Sequence, residues 1–236
     1  MMKIKQVCIL EEMPIVDLSL AQVQKILHAR ARGSMSTVLM ADMEQCMRCA
    51  KNEEELSFSL TADLILAEGE EVRVAAAMMG TALSSEAFSA VDLILALMQT
   101  GDDQFFFLGG EQGYARRAAF FASKRAGRTP CPVVGGAPGK FARSGKENTA
   151  VLTRIWECQP NVVVVCLEDG IVWLGRNREK LPPALYICMP ERIMREMAEV
   201  NAVQLRERMP LEMWNHYRMR LAFYLRVRRK MKKAVE

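Results

Sequence analysis

Four carboxylates sit at the ends of runs that read as β-strands. Asp42 follows the run 37–40, Glu68 follows 63–66, and Glu168 with Asp169 follows 161–167. In a parallel α/β sheet the carboxyl ends of the strands form the face that binds ligands. A carboxylate on that face can act as a general base or hold a ribose hydroxyl. It can equally cap the next helix or stand in solvent. Glu68 stands apart from the others, because Ala67-Glu68-Gly69 is a tight turn carrying a single acid. A second kind of chemistry is offered by "QFFFLGGEQGYARRAAFFA", residues 104–122. An apolar run of strand length ends at Gly109-Gly110, and from Gly113 the period becomes helical. Glycines at such a turn let backbone approach a phosphate, and the following helix N-terminus supplies free N–H groups. The same residues fit a turn that merely needs positive φ, and Gly-Gly-x-x-Gly is not a dinucleotide fingerprint.

Other reactive residue types form no recognisable constellation. Cys46-x-x-Cys49 falls inside a helical stretch and has no second Cys or His pair nearby. A structural zinc needs four ligands, so no metal is expected. His28 and His216 are the only histidines, and neither has a nucleophile beside it in sequence from which a triad can be argued. The seven cysteines are scattered through apolar runs, among them Cys8, Cys131, Cys166 and Cys188. That usage suits buried, reduced thiols rather than a disulfide framework.

The elements that must position these residues alternate. Strands are expected at 7–10, 37–40, 63–66, 105–108, 132–134, 161–167 and 184–189. Helices are expected at 20–31, capped by Asp17 or Ser19, and at 42–51, capped by Asp42, with 56–60 extending that helical region. Further helices follow at 70–79, 85–98, 113–122, 144–158, 171–180 and 191–208. Residues 135–141 read as a second glycine turn. This alternation predicts an α/β fold: a mostly parallel sheet with helices on both faces.

The chain of 236 residues is half hydrophobic, which allows one large domain with an appendage. No run reaches the roughly 20 apolar residues of a membrane span, and residues 1–7 lack the pattern of a signal peptide. The expectation is a cytoplasmic protein. Charge is uneven: residues 218–236 hold eight Lys and Arg against Glu236, a balance of +7, which leaves −3 for the rest of a chain whose formal charge is +4. From 211 to 233 there is no Gly or Pro, and Trp214, Tyr217, Leu221, Tyr224 and Leu225 recur at helical spacing. The expected division is an α/β domain over 1–208 and a basic amphipathic helical tail over 209–236. Aromatic and apolar residues on one face with Lys and Arg around them suit an anionic membrane surface. They suit equally a helix packed on its own chain. No nucleic-acid motif accompanies the charge.

Several motifs in order resemble the WecG/TagA/CpsF family of bacterial glycosyltransferases. They are "MPIVDLSLAQV", "ADLILAEG", "VDLI", "FFFLGGEQGYARRAA", "VVGGAPGKF", "QPNVVVVCL" with "GRNREKLP", and the tail beginning at "RMP". The resemblance implies a Rossmann-like enzyme that moves an N-acetylmannosamine-type sugar from a UDP-sugar to a lipid-linked acceptor at the membrane. The pathways implied are teichoic acid, enterobacterial antigen or capsule assembly. By resemblance Glu68 falls at the catalytic aspartate, Gly109 and Gly110 line the nucleotide site, and Gly135, Gly139 and Phe141 form its neighbouring wall. Gly69, Asp92, Asp42 and Glu168 are the candidates for contacting substrate. Several motif positions differ. Ala41-Asp42-Met43 replaces Thr-x-Asn, Glu68 replaces the aspartate, and Glu168-Asp169-Gly170 shortens a Gly-x-Pro-x-Gln-Glu turn. A degenerate member that binds a nucleotide, a lipid-linked sugar or a partner without turnover is the alternative reading.

Overall fold

The computed structural model describes residues 5–9, 13–31, 33–83, 85–199 and 209–235. Two strands, β1 (Lys5–Ile9) and β2 (Met13–Asp17), pair antiparallel as a hairpin apart from the main sheet. The expected strand is therefore there, but 13–17 is a strand as well, not the approach to a helix. Helix α1 (Leu20–Ala31) then leads to β3 (Ser36–Ala41). The chain continues through α2 (Met43–Cys49), α3 (Glu53–Leu60), β4 (Leu64–Ala67), α4 (Glu70–Met78) and α5 (Ala90–Thr100). It closes the domain with β5 (Phe105–Gly109), α6 (Tyr114–Arg125), β6 (Val133–Ala137), α7 (Gly145–Cys158), β7 (Val162–Cys166), α8 (Gly170–Asn177), β8 (Leu185–Cys188) and α9 (Glu191–Met197). The long helix α10 (Met209–Val235) follows.

The six strands β3 to β8 form one sheet, every pair parallel, in the order β4-β3-β8-β7-β5-β6. The chain leaves β3 outward to β4 and leaves β5 outward in the opposite direction to β6. Strands β7 and β8 fill the middle afterwards, so the winding reverses at the centre of the sheet. Strand alternation separates two cores. Val38, Met40, Phe105, Phe107, Val162 and Val164 point to a layer made by α1, α5, α6 and α9. Leu39, Ala41, Phe106, Leu108, Val163 and Val165 point to a layer that includes α2, α4, α7, α8 and, from α10, Phe223 and Val227. The strand sequences are continuously apolar because both faces are covered.

Several boundaries differ from expectation for local reasons. Asn52 accepts from the N–H of Glu54 and Glu55 and starts α3 anew, so 53–60 is a separate helix. Helix α5 begins only at Ala90, where Ser89 and Asp92 form a capping box. Upstream, Ser85 is held by the Asp17 carboxylate. Gly135 and Gly136 lie within β6, not in a turn. A Cβ on Gly135 would stand 2.5 Å from Cys158 Sγ, and one on Gly136 would stand 2.8 Å from Ala115 Cβ. The glycines let α6 and α7 close on this edge strand. Helix α9 ends at Met197, and Glu199 has φ +47°. The expected continuation over 200–208 lies outside the described residues. Cys46, Cys49, Cys166 and Cys188 are buried free thiols as expected, whereas Cys131 is exposed.

Candidate active site

A cleft of about 460 Å³ opens at the carboxyl ends of β3, β7 and β8, beneath the first turns of α10. Its walls are Asp42, Glu44 and Arg48 from α2 and its cap, Leu167 and Glu168 after β7, Pro190 to Arg192 and Arg195 after β8, and Asn215, His216 and Met219 of α10. This is the crevice where the winding of the sheet reverses, the place at which open α/β sheets take ligands.

Asp42 follows β3 directly. Its Oδ1 accepts from the Gln45 N–H at 2.9 Å, which starts α2. Glu68 follows β4, and its own N–H donates to the Ala41 carbonyl at 2.9 Å, tying the two strand ends together. The Glu68 side chain is 3% exposed. Its Oε2 accepts from the Ala90 N–H at 2.7 Å, at the start of α5, and its Oε1 accepts from Arg192 Nη2 at 2.9 Å. Arg192, in the first turn of α9, is 51% exposed. Its Nε lies 3.9 Å from Asp42 Oδ2 and its Nη1 lies 3.9 Å from Glu196 Oε2. One guanidinium thus bridges the carboxylates after β3 and β4.

Burial pushes the Glu68 carboxyl above the usual carboxylate range, although Arg192 and the Ala90 N–H pull it down. Glu44 is raised for the same first reason, with Asp42 adding to it. For Arg192 burial works against the charge, but Glu68 and Asp42 outweigh it and hold the guanidinium more firmly protonated. A carboxylate raised in this way suits proton abstraction near neutral pH better than an ordinary one.

The structure brings only part of the sequence-derived set together. Asp42 and Glu168 line the cleft, and Glu68 lies against it behind Arg192. Gly69 starts α4 beside Glu68. Asp92 does not face the cleft: its carboxylate accepts from the Ser89 N–H and hydroxyl at 2.9 and 2.7 Å. It is the N-terminal N–H of α5, not Asp92, that reaches Glu68. Gly109 and Gly110 are required by packing. A Cβ on Gly109 would stand 2.3 Å from the Cys166 carbonyl oxygen, and one on Gly110 would stand 2.9 Å from Met194 and Tyr114. Gly139 donates its N–H to the Gly110 carbonyl at 2.8 Å, so the two glycine loops hold each other. Phe141 packs edge-on against Trp173 with ring centres 6.2 Å apart, and the Arg143 guanidinium lies 4.3 Å above its ring. Neither these residues nor Gly135 line the cleft.

Arg192, Arg48 and Arg195 carry no signal that the sequence reading used, and His216, weighed there only as a triad histidine, lines the cleft. One signal existed for Arg192. A cation in the first turn of a helix opposes the helix dipole, and such a placement calls for nearby carboxylates. Nothing in the sequence says that they are Asp42 and Glu68, the latter 124 positions away.

A six-stranded parallel sheet wound on both faces, with a polar cleft at its strand ends, defines a Rossmann-like α/β protein. Residues 7–192 match the family of glycosyl transferases WecG/TagA/CpsF, and the chain belongs to that family. It is thereby a member of the glycosyltransferases of cell-surface polysaccharide synthesis. No individually curated protein matches the chain. Helix α10 lies beyond the matched segment. No described helix is long and apolar enough to cross a membrane.

Proposed function

We propose that the chain transfers an N-acetylmannosamine-type sugar from a UDP-sugar to a lipid-linked acceptor, with the cleft below α10 as its donor site. The observation that carries this reading is the buried Glu68 carboxylate, raised in pKa and joined through Arg192 to Asp42 at the rim of the cleft. In the transfer, Glu68 takes the proton of the acceptor hydroxyl. That oxygen forms the new bond to the anomeric carbon as the bond to the diphosphate breaks, and the electron pair leaves on UDP. Arg48, Arg192 and Arg195 supply positive charge toward the leaving diphosphate. The proposed working place is the inner face of a membrane. The exposed apolar residues of α10, Trp214, Tyr217, Leu221 and Leu225, are interspersed with Arg218, Arg228 and Arg229. They would meet the lipid while Phe223 and Val227 hold the helix to the body.

The test is a donor screen scored by UDP release, with and without a lipid-linked acceptor. Release that depends on the acceptor and falls on the order of 10²–10⁴-fold in Glu68→Gln supports the base assignment. Unchanged turnover in Glu68→Gln removes it. One observation favours a second reading, a family member that binds without turnover. Both Glu68 oxygens already accept hydrogen bonds, and Arg192 stands between the carboxylate and the cleft. Tight UDP binding with no release from any donor would decide for that reading.

A further inference from the structure

We propose that Arg192 is a transferable clamp: it shields Glu68 while the cleft is empty and is handed to the phosphates of an incoming nucleoside diphosphate. This rests on the reading of the cleft as a nucleoside-diphosphate site.

Three observations carry it. First, the pair is lopsided. Glu68 is 3% exposed and fixed by the Ala90 N–H, whereas Arg192 is 51% exposed and lines the cleft. The arginine is the partner that can leave. Second, its attachments are few. Among the described residues Arg192 makes one side-chain hydrogen bond, to Glu68. Its other carboxylate neighbours, Asp42 and Glu196, stand at 3.9 Å, beyond hydrogen-bond reach. A guanidinium has five N–H donors in a planar fork, so most of that capacity faces solvent or the cleft. Third, a phosphate is a stronger claimant than a lone carboxylate oxygen. It offers a bidentate acceptor and more charge, and Arg48 and Arg195 line the same cleft to offset the carboxylates of Asp42, Glu44, Glu168 and Glu191 there. Leaving the buried Glu68 without its cation costs free energy; the Ala90 N–H stays on the carboxyl and lessens that cost, and the phosphate contacts of Arg192 must outweigh the rest.

The exchange has a chemical consequence. When Arg192 moves to phosphate, Glu68 loses its cation, keeps its burial, and becomes more basic. Donor arrival would thereby uncover and activate the base at one stroke, and the empty site would stay protected.

The full-length protein is titrated calorimetrically with UDP and, separately, with inorganic pyrophosphate, as wild type, Glu68→Gln, Arg192→Met and Arg192→Lys. Glu68→Gln keeps the acceptor for Ala90 but releases the arginine. If the released arginine is about one part in ten of the wild-type population, both ligands bind about tenfold tighter. Arg192→Met weakens both at least tenfold by the loss of a charged contact, and Arg192→Lys falls between. These opposite changes are not what a merely structural pair would produce, and melting curves establish that each variant is folded. Glu68→Gln binding no tighter than wild type, or Arg192→Met binding as well as wild type, overturns the clamp. If UDP binds but neither variant alters it, the nucleotide site stands and the clamp falls. If pyrophosphate binds through Arg192 and UDP binds no tighter, the clamp stands and the nucleotide reading falls. No binding of either ligand to wild type removes both.

Discussion

Helix α10 presents two faces, and substituting one residue on each separates them. Phe223 and Val227 are 0% exposed within the core cluster on one side of the sheet, while Trp214 and Leu221 are 62% and 63% exposed. Burial of a phenylalanine side chain contributes about 1.5–3 kcal/mol. Truncation also leaves a cavity, so Phe223→Ala should cost about 3–5 kcal/mol. For a chain of this size each kcal/mol lowers the melting temperature by roughly 2–4 °C, which puts the expected drop at about 10 °C. Leu221→Ser removes a side chain that touches mostly solvent and should stay within about 0.5 kcal/mol of wild type. The assay pairs thermal melts with co-sedimentation on anionic vesicles. Wild type and Phe223→Ala are expected to bind in a salt-sensitive way. Trp214→Ser/Leu221→Ser should melt like wild type and lose the vesicles. A Phe223→Ala melt within about 1 °C of wild type would show that α10 does not close this core. Undiminished sedimentation of the outer-face variant would remove the lipid from the account. The same geometry sets the result of cutting the chain after Met209. The body would lose Phe223 and Val227 from its core, so truncation should destabilise it as well as detach it.

Three more outcomes follow from the site and its supports. The raised pKa of Glu68 makes its ionisation a cost to the fold. Below its ordinary value of 4.5 the carboxyl is protonated in both folded and unfolded chains. As pH rises through the raised folded value, wild type should lose stability relative to Glu68→Gln. A wild-type melting temperature that holds or gains on that of Glu68→Gln between acid and neutral pH contradicts this. Gly109→Ala places a Cβ 2.3 Å from the Cys166 carbonyl oxygen at φ +146°, so it should destabilise by more than about 2 kcal/mol in denaturant titration even without ligand. A stable, well-folded Gly109→Ala that fails only in UDP binding would return that glycine to the nucleotide. Ser89→Ala removes half of the capping box of α5 and should cost about 1 kcal/mol. UDP affinity should be unaffected by Asp92→Asn, since that carboxylate is spent on the cap.

What the sequence by itself determined is the alternation and its consequences. Runs such as 105–108 and 161–167 are apolar at every position because each strand is covered on both faces, and that is visible without knowing what covers them. Short-range chemistry was legible too: Asp42 was expected to cap 42–51 and does cap α2. The family motifs, being contiguous, could also be read from the sequence. Local pattern misled where a residue's reason is a distant neighbour. Gly135 and Gly136 read as a turn because glycine usually marks one, yet they extend β6 so that Ala115 and Cys158 can approach. The stripe of Trp214, Tyr217, Leu221, Tyr224 and Leu225 suited a membrane surface and a packed helix alike; Trp214, Tyr217, Leu221 and Leu225 point outward, and Tyr224 packs against the core. Phe223 and Val227 are the residues that fill the core, a choice that depends on where α10 meets α2 and α4.

Which residues of the candidate site meet was decided by tertiary structure alone. Glu68 and Asp42 were named because they end strands, but the distance between them follows from β3 and β4 being parallel neighbours. Asp92 shares a helix N-terminus with the N–H that holds Glu68, and only the orientation of α5 assigns the contact to Ala90 rather than to the carboxylate. Arg192 reaches Glu68 because β8 is inserted last, beside β3, which carries the first turn of α9 to the strand ends. Side-chain charge is written in the chain. Which charges meet is set by the order in which strands enter the sheet, and no local pattern encodes that order.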